Sequence, residues 1–404
     1  MRTAPEAMAA PDLPALDLDP YDPDVLRAPH GYHRRLRELG PLVWLPRYGV
    51  CASGHYAVVE RVFRDHLGFT SARGVGLSDF AREPPWRAPS IILEVDPPAH
   101  ERTRRVMARV LAPGAIARLK PRFDAAAEEL VARALAAGTF DAVDTLAAAY
   151  PLRVFGDAVG IESAGRERLL DYGRMVFDAL GPDNALRRAA LEPAVEVVTW
   201  IAARCARAAL SADGFGAELH AAAERGEITP EEAALLVRSL LSAGIDTTVA
   251  ALGNLLYCFA THPGQWQVLR SEPQRLQGAI DEALRFESPV HTFCRTSTAS
   301  CEVGGAPMPR DCKILCVIGA ANRDPARWDA PDTFDIRRAP RPHIAFGSGI
   351  HVCVGQHVAR HEIASLLAAL LERVARLELA GEPVWRPGHA VRGLAHLPLR
   401  LIAA

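Results

Sequence analysis

A cysteine flanked by glycines is the residue of this sequence best suited to chemistry. Cys353 lies in FGSGIHVCVG, residues 346–355, and an apolar helical pattern begins directly after it. Glycines let a backbone approach a flat ligand closely, and a helix N-terminus favours the thiolate form of a cysteine. The segment predicts a reactive or metal-binding thiolate, although no cysteine-protease context surrounds it. A glycine-rich turn around an inert buried cysteine fits the same residues equally well.

The other seven cysteines are scattered along the chain and are expected to be free thiols in a reducing compartment. Cys312 and Cys316 form a C-x-x-x-C pair that could bind zinc. The surrounding DCKILCVIG alternates as a strand does and has no histidine nearby. The pattern therefore favours a strand over a zinc site.

A second candidate for chemistry is a long helix that carries an acid and two threonines, Asp246, Thr247 and Thr248. The residues TPEE at 229–232 predict its start, with a capping box and a proline in the first turn. The helical pattern runs to about Thr261 and ends at HPG, residues 262–264. One stripe is small or polar where a core helix would carry leucine, and its members are Ser239, Ser242, Ala243, Asp246, Ala250 and Gly253. Such a stripe leaves room for a ligand, or alternatively allows another helix to cross closely.

Helical periodicity dominates the chain from about residue 98 to 286 and again from 354 to 376, with a few short strand-like runs. This indicates a mostly α, α+β fold with a small segregated β region. Residues 1–20 are expected to form an extended arm and residues 21–404 a single domain. The net charge of −2 argues against nucleic acid as the main partner. Without a signal peptide or a run of about 18 apolar residues, we expect a soluble, cytoplasmic protein that does not enter a membrane.

Beyond these patterns, FGSGIHVCVG resembles the proximal loop of the cytochrome P450 family, in which the cysteine is the axial thiolate of haem iron. The resemblance runs from about residue 20 to the C-terminus, and further motifs follow in the expected order: HERTRR at 100–105, AGIDTT at 243–248, Glu282 and Arg285 in DEALRFESPV, ANRDP, and PDTFDIRR. Glu282 and Arg285 stand at i,i+3, so they can pair, and we expect a structural role for them. The family usually carries a cation where Thr333 stands, so Arg337 is expected to be their third partner.

The resemblance implies a monomeric haem b monooxygenase that uses O2, with Cys353 as the iron ligand. In the family the acid corresponding to Asp246 relays protons and the hydroxyl corresponding to Thr247 holds the bound oxygen species or a water. The cations that match the family's haem-propionate ligands are His100, Arg104, Arg295 and His351. A non-catalytic haem-thiolate gas sensor is the alternative, but it would not need the acid–alcohol pair.

No flavin reductase segment follows the haem motif, so electrons are expected from an iron–sulfur ferredoxin and its NAD(P)H-dependent reductase. The helix that follows residue 98 turns Arg102, Arg105 and Arg109 outward as a basic stripe. In the family this helix lies where an acidic electron donor docks. The alternative is an ordinary solvated charged face.

The segments WRAPSIILEVDPP and LLVRSLLSAGIDTT look like those of the bacterial subgroup that oxidises para-substituted benzoic acids, including 4-methoxybenzoate. In that subgroup, the positions that hold the carboxylate correspond to Arg87, Ser90, Arg238 and Ser242. The candidate contacts to the aromatic ring are Phe177, Leu180, Val290 and Phe293, and Leu180 departs from the aromatic residue expected there. The alternatives are that the arginines are structural and that the substrate is another small hydrophobic molecule.

Overall fold

Helices dominate the computed structural model, which describes residues 11–338, 340 and 342–404. In chain order the α-helices are α1 Pro23–Arg27, α2 His30–Leu39, α3 Tyr56–Arg64, α4 Ala99–Val110, α5 Pro113–Ala117, α6 Lys120–Ala137, α7 Ala149–Val159, α8 Arg168–Asp178, α9 Ala185–Leu191, α10 Ala194–Arg204, α11 Phe215–Glu224, α12 Pro230–Ala243, α13 Asp246–Thr261, α14 Pro263–Ser271, α15 Leu276–Glu287, α16 Ile318–Ala321 and α17 Gln356–Arg373. A π-helical segment, Val143–Ala148, leads into α7, and short 3-10 turns occupy Arg207–Ala209, Pro273–Arg275 and Gly349–His351.

The strands are short and form small sheets at the edges of the helical body. They are β1 Val43–Leu45, β2 Val50–Ser53, β3 Phe69–Thr70, β4 Thr139–Asp141, β5 Thr292–Ser297, β6 Cys301–Val303, β7 Ala306–Met308, β8 Lys313–Val317, β9 Val374–Leu379, β10 Val384–Arg386, β11 Gly393–His396 and β12 Pro398–Ala403. The largest sheet has the order β1-β2-β8-β5-β3, in which only β2 and β8 run parallel. The remaining sheets are β4-β12-β9 and the hairpins β6-β7 and β10-β11. The mostly α, α+β prediction is confirmed.

Two predicted segments of the β region can be compared directly with the structure. The DCKILCVIG segment forms β8 as predicted, and Cys312 lies just before that strand with its sulfur 3.7 Å from the sulfur of Cys51. Residues 1–10 of the predicted N-terminal arm lie outside the described residues. The following residues join the first hairpin, because Ala15 pairs in parallel with Trp44 and the Leu16 amide donates to the Trp44 carbonyl.

The long central helix covers the predicted segment but is divided in its middle, next to Gly244 and the two threonines. It starts as expected, with the Thr229 side chain and Glu232 forming a capping box. It then breaks between Ala243 and Asp246, at Gly244 and Ile245. A side chain at Gly244 is sterically excluded, because a Cβ there would stand 2.3 Å from the ring of Phe155.

The two halves of this helix pack into different hydrophobic cores, and the break lies between them. The apolar side chains of α12 pack with α8, α10 and α11, while those of α13 pack with α6, α15 and α17. Together Pro230–Thr261 are long and apolar enough to cross a membrane by length and composition, but 61% of their 18-residue apolar window is buried within the fold. Burial of this extent is what a core helix of a globular domain shows, and α17, which follows Cys353, packs directly against α13.

Candidate active site

Backbone geometry around Cys353 directs amide groups at its sulfur. Gly347 and Gly349 adopt positive φ angles of 74° and 72°, and a Cβ at Gly349 would stand 2.3 Å from the carbonyl oxygen of Phe63. Both positions therefore require glycine. Burial raises the pKa of the Cys353 thiol, whereas hydrogen bonds from the backbone amides of Gly355 and Gln356 lower it. Because α17 starts at Gln356, its N-terminus favours a negatively charged sulfur.

Four basic side chains, three of them largely buried and one partly buried, gather beside this loop. The rings of His100 and His351 lie edge to face with centroids 4.4 Å apart. Both ring nitrogens of His100 and Nε2 of His351 are buried without a hydrogen-bond partner. Arg295 is 4% exposed and donates only to the carbonyl of Cys294, while Arg104 forms no hydrogen bond or ion pair with the described residues.

Unsatisfied buried polar groups are costly, so donors of this kind favour a bound acceptor. Within the chain, the Asp96 carboxylate lies 4.0 Å from Nε2 of His351. Burial lowers the pKa of His100 to about 4 and also lowers the pKa of Arg104 and of Arg295. A ligand that brings carboxylates into this group would reverse these effects, since a negative charge favours the protonated form of each side chain. The sequence predicted these four residues as partners of haem propionates, and the arrangement fits such groups.

The acid of the predicted acid–alcohol pair has a partner that sequence analysis missed. Asp246 is 2% exposed, and Nη2 of Arg386 on β10 lies 3.0 Å from each of its carboxylate oxygens. Arg386 also lies near Asp178 at the end of α8, where burial raises the pKa of the carboxyl to about 6. No spacing in the sequence links β10 to the centre of the long helix. The acid is therefore held by a cation from the C-terminal part of the chain.

Threonine hydroxyls satisfy the carbonyl groups at the helix break. Thr247 Oγ1 donates to the carbonyl of Ala243 at 2.7 Å, and Thr248 Oγ1 donates to that of Gly244 at 3.1 Å. Asp246 follows this break directly, and Gly173 on α8 lets the two helices approach, because a Cβ there would stand 2.6 Å from that of Asp246. The carboxylate of Asp246 and the hydroxyl of Thr247 therefore lie in the first turn of α13, directly after the break.

The predicted scaffold pair forms, but its third partner differs from the prediction. Glu282 and Arg285 are fully buried and make two parallel hydrogen bonds of 2.8 and 2.9 Å. Nε of Arg338 lies 3.3 Å from Glu282, whereas Arg337 extends to Glu272 at 3.0 Å. The assignment of Arg337 was wrong by one residue because the turn at residues 335–338 directs consecutive side chains to opposite sides.

Three of the four predicted ring contacts belong to one small apolar cluster on α13. Phe177, Leu180 and Phe293 pack there with Ala250, Ala390 and Val391. Val290 joins the edge of this group through a β-bridge to Val391. Ala250 is the member of the small-residue stripe that belongs to this cluster.

The structure brings together three of the four predicted carboxylate ligands. Arg238 donates from α12 to the carbonyls of Ala88 and Pro89, and so anchors the loop that carries Arg87 and Ser90. Nη2 of Arg87 lies 3.8 Å from a carboxylate oxygen of Glu94, a neighbour that sequence analysis missed. Nε of Arg87 is buried and has no hydrogen-bond partner. Burial, followed by repulsion from Arg87, lowers the pKa of Arg238.

Ser90 and Ser242 differ in what their hydroxyls can offer a ligand. The Ser90 hydroxyl accepts from the amides of Ile92 and Leu93, so its own proton is free for an additional acceptor. Ser242, one helical turn beyond Arg238, donates to the Ser239 carbonyl. Ser242 must give up that bond before it can donate to a ligand.

The predicted basic stripe on α4 is largely neutralised by neighbouring acids. Arg102 pairs with Glu232, and Arg109 pairs with Glu227 at 2.7 Å. Arg105 is exposed and has no ion-pair partner among the described residues. Two of the three arginines therefore connect α4 to the first turn of α12 and to the segment just before it.

Comparison with known proteins places this geometry in a family. Residues 207–384 match the family model described as Cytochrome P450. The chain is 49% identical over 393 residues to cytochrome p450 CYP199A2 of Rhodopseudomonas palustris, which covers 97% of this chain and 95% of that protein. It belongs to the cytochrome P450 family.

Other relatives agree with this assignment. The beta-dihydromenaquinone-9 omega-hydroxylase of Mycobacterium tuberculosis is 31% identical over 94% of this chain and 78% of its own length. The structure of cytochrome P450 CREJ in complex with (4-ethylphenyl) dihydrogen phosphate superposes with a TM-score of 0.85 at 25% identity, over 95% of this chain and 99% of that one.

As a member of the P450 family, the protein is a monooxygenase with haem b as its cofactor, and the sensor alternative is set aside. The residues present fit that cofactor: amide groups converge on one cysteine sulfur, and buried donors without partners stand ready for carboxylates. Cys353 would hold the haem iron as a thiolate, and the bound group would supply O2 activation, because a thiolate ligand donates electron density that favours O–O cleavage.

Proposed function

We propose that residues 21–404 act as one domain that oxidises a small para-substituted aromatic acid, such as 4-methoxybenzoate, by O-demethylation or hydroxylation. The observation that carries this proposal is the loop at residues 87–90. Arg87 in this loop is a cation whose Nε is buried without a hydrogen-bond partner. Arg238 lies close enough for the two positive charges to repel each other. An apolar surface with a few placed polar groups is what a small-molecule site requires.

The charge balance of this loop favours an anion. Two arginines lie beside one carboxylate, Glu94, so a net positive charge remains. The Arg87 Nε and the Ser90 hydroxyl each have a proton to offer, and a second anion would also relieve the repulsion between the arginines. Charge-assisted hydrogen bonds of this kind are about twice as strong as neutral ones.

Binding of the substrate carboxylate at one end of the site limits which substituent can reach the reacting position. When a carboxylate is held at Arg87 and Ser90, the rigid ring of a benzoate leads its para substituent in one direction. Phe177, Leu180 and Phe293 supply the apolar contacts for that ring. The P450 CREJ complex with (4-ethylphenyl) dihydrogen phosphate supports the proposal by analogy, because that ligand is also a para-substituted aryl anion.

For the reaction itself, we assign proton handling to the start of α13. The Thr247 hydroxyl donates to the Ala243 carbonyl and retains lone pairs that can accept a hydrogen bond from a water or a protonated oxygen. Asp246 can pass protons inward when Arg386 releases one carboxylate oxygen. General acid–base transfer of this type contributes roughly 10²–10⁴-fold to a rate.

We further propose that electrons come from an iron–sulfur ferredoxin and its NAD(P)H-dependent reductase in the cytoplasm, and that the protein works as a monomer. Arg105, exposed on α4 and without an ion-pair partner among the described residues, is the member of the basic stripe available to an acidic donor. The pairing of Arg102 and Arg109 with glutamates supports a narrower docking role than three free arginines would.

The test compares 4-methoxybenzoic acid with its methyl ester and with 4-methoxytoluene, read by the shift of the haem to high spin and by product analysis. Loss of one side of a buried charge pair costs about 2–5 kcal/mol, so the neutral analogues should bind roughly 30- to several-thousand-fold more weakly. Arg87→Ala should erase most of that preference. Arg82→Ala is the matched control, because Arg82 is 47% exposed and pairs with Asp79 instead.

Equal binding of the acid and its neutral analogues would contradict the carboxylate site. The protein would then be a monooxygenase of another small hydrophobic substrate. A preference for the acid that survives Arg87→Ala would retain the substrate class but move the site to other residues.

A further inference from the structure

The loop that carries Arg87 and Ser90 also contains a carboxylate, Glu94, whose position is fixed by the loop itself. Oε2 of Glu94 accepts the backbone amide of Ser90 at 2.7 Å, and the Glu94 amide donates to the Ser90 carbonyl at 2.9 Å. The Glu94 side chain is 6% exposed and lies 3.8 Å from Nη2 of Arg87. An anion held by Arg87 and Ser90 would therefore lie beside a buried carboxylate that the Ser90 amide keeps in place.

Two arginines face this carboxylate, and they meet at one backbone atom. Nη1 of Arg87 and Nη2 of Arg238 both donate to the carbonyl oxygen of Ala88, at 3.1 and 2.9 Å. The titratable side chains of Tyr172 and Cys205 also act on Arg238. Burial raises the pKa of Tyr172 and raises the pKa of Cys205 to about 12, so both groups are uncharged near neutral pH.

These side chains together carry a single net positive charge, since Glu94 offsets one of the two arginines. One bound carboxylate would balance that charge, whereas a doubly charged ligand would leave an excess negative charge in a largely buried place, where it is costly. We infer that Glu94 is a specificity-determining residue that restricts the site to singly charged anions and disfavours dianions such as aryl phosphates. The inference rests on the proposed carboxylate site and adds the charge class of its ligand.

The effect of Glu94 on a ligand should scale with the charge of that ligand. Coulomb energy is proportional to the product of two charges. Removal of the Glu94 charge should therefore raise the affinity for a monoanion by some factor, raise that for a dianion by the square of this factor, and leave a neutral ligand unaffected. For charges separated by a few ångströms of partly solvated protein, we expect a factor of about three to ten for the monoanion, and so about ten to a hundred for the dianion. A purely structural role of Glu94 would instead change the binding of all three ligands alike.

Glu94→Gln in the haem-loaded protein tests this scaling, because the glutamine carbonyl oxygen can still accept the Ser90 amide. Isothermal titration calorimetry at pH 8 compares 4-methoxybenzoate, 4-methoxyphenyl phosphate and methyl 4-methoxybenzoate in the parent and the variant. The parent should bind the benzoate more tightly than the phosphate, and the substitution should improve phosphate binding by about three- to tenfold more than benzoate binding. Lowering the pH through about 6, where a phosphate monoester becomes singly charged, should bring its gain down to that of the benzoate.

Two further variants separate the charge of Glu94 from its shape and from the net charge of the protein. Glu83→Gln is the matched control, because Glu83 is exposed on the same segment, so its charge is screened and all three affinities should stay within about twofold of the parent. Glu94→Asp retains the negative charge on a shorter side chain and should keep the parent preference for the benzoate over the phosphate.

Equal gains for the three ligands in Glu94→Gln, or no gain, would overturn the role of Glu94 while leaving the proposed substrate class intact. A loss of the benzoate preference in Glu94→Asp would overturn it as well, because the charge is still present in that variant. Failure of the proposed function gives a different result, since the parent protein itself would then bind the methyl ester as tightly as the acid, and the inference would fall with it.

Discussion

Replacing Arg386 by glutamine should destabilise the protein through the loss of a single charge. Asp246 is almost fully buried, with Arg386 20% exposed and 3.0 Å from both of its oxygens. Opposite charges about 4 Å apart attract by about 4 kcal/mol at an effective dielectric constant of about 20, and breaking a buried pair costs about 3–5 kcal/mol. Because Arg386 is partly solvated, we expect a loss of about 2–4 kcal/mol in the free energy of unfolding.

Replacing the partner residue, in Asp246→Asn, should reduce the free energy of unfolding by less, which makes the prediction specific. In Asp246→Asn the cation Arg386 still has the carboxyl of Asp178 nearby, whereas in Arg386→Gln no other cation among the described residues pairs with the buried Asp246. The double variant should recover part of the loss, with a coupling energy of about 1–3 kcal/mol, as expected for residues in contact.

Urea unfolding of the four holoproteins measures this cycle, with far-ultraviolet circular dichroism and haem absorbance recorded together so that cofactor loss is separated from unfolding. Arg400→Gln is the matched control, since the pair of Arg400 and Glu378 is on the surface and should contribute less than about 1 kcal/mol. A coupling energy near zero between positions 246 and 386, or a larger loss in Asp246→Asn than in Arg386→Gln, would refute the reasoning.

Three further predictions concern the cofactor, the proton route and the electron donor. Cys353→Ala should abolish the red-shifted absorbance of the ferrous carbon monoxide complex, and a normal band in that variant would show that another residue binds the iron. Thr247→Ala should bind substrate and accept electrons but release them as peroxide, and Asp246→Asn should slow turnover, both read from NADH consumed per product; full coupling in Thr247→Ala would remove its assigned role. Arg105→Glu should weaken reduction by the ferredoxin, as should added salt in the parent protein, whereas Ala108→Glu on the same exposed side of α4 provides the charge control; unchanged reduction kinetics in Arg105→Glu and in high salt would leave α4 without a docking role.

Local spacing was sufficient to predict much of the fold and the scaffold pair. The capping box at Thr229 and Glu232 depends on residues three positions apart, and it forms as predicted. Glu282 and Arg285 pair for the same reason, since i,i+3 residues share a helix face. The prediction of the third partner failed, because the choice between Arg337 and Arg338 depends on the path of a short turn. Helical or strand periodicity does not describe such a turn.

The groups that tune the site come from distant parts of the chain. Arg386 is 140 residues from Asp246, and the two side chains meet only in the folded chain. Arg386 does not stand out in the sequence, where it is one arginine in a short strand-like run. Its role comes from its contact with a buried carboxylate, which only the folded structure shows.

This difference explains why the residues assigned to the reaction can be found from the sequence, whereas the cation that holds Asp246 is found only in the structure. Cys353, Asp246 and Thr247 lie in segments whose glycines and small residues are required by backbone geometry, so their sequence carries a local signature. Arg386 instead acts on the start of α13 from the C-terminal part of the chain, through the Asp246 carboxylate. Because the break is held by hydrogen bonds from two threonines rather than by a continuous helix, we expect the position of Asp246 to depend on its pairing with Arg386. We therefore expect a substitution at position 386 to change proton delivery while the haem ligand and its binding groups remain in place.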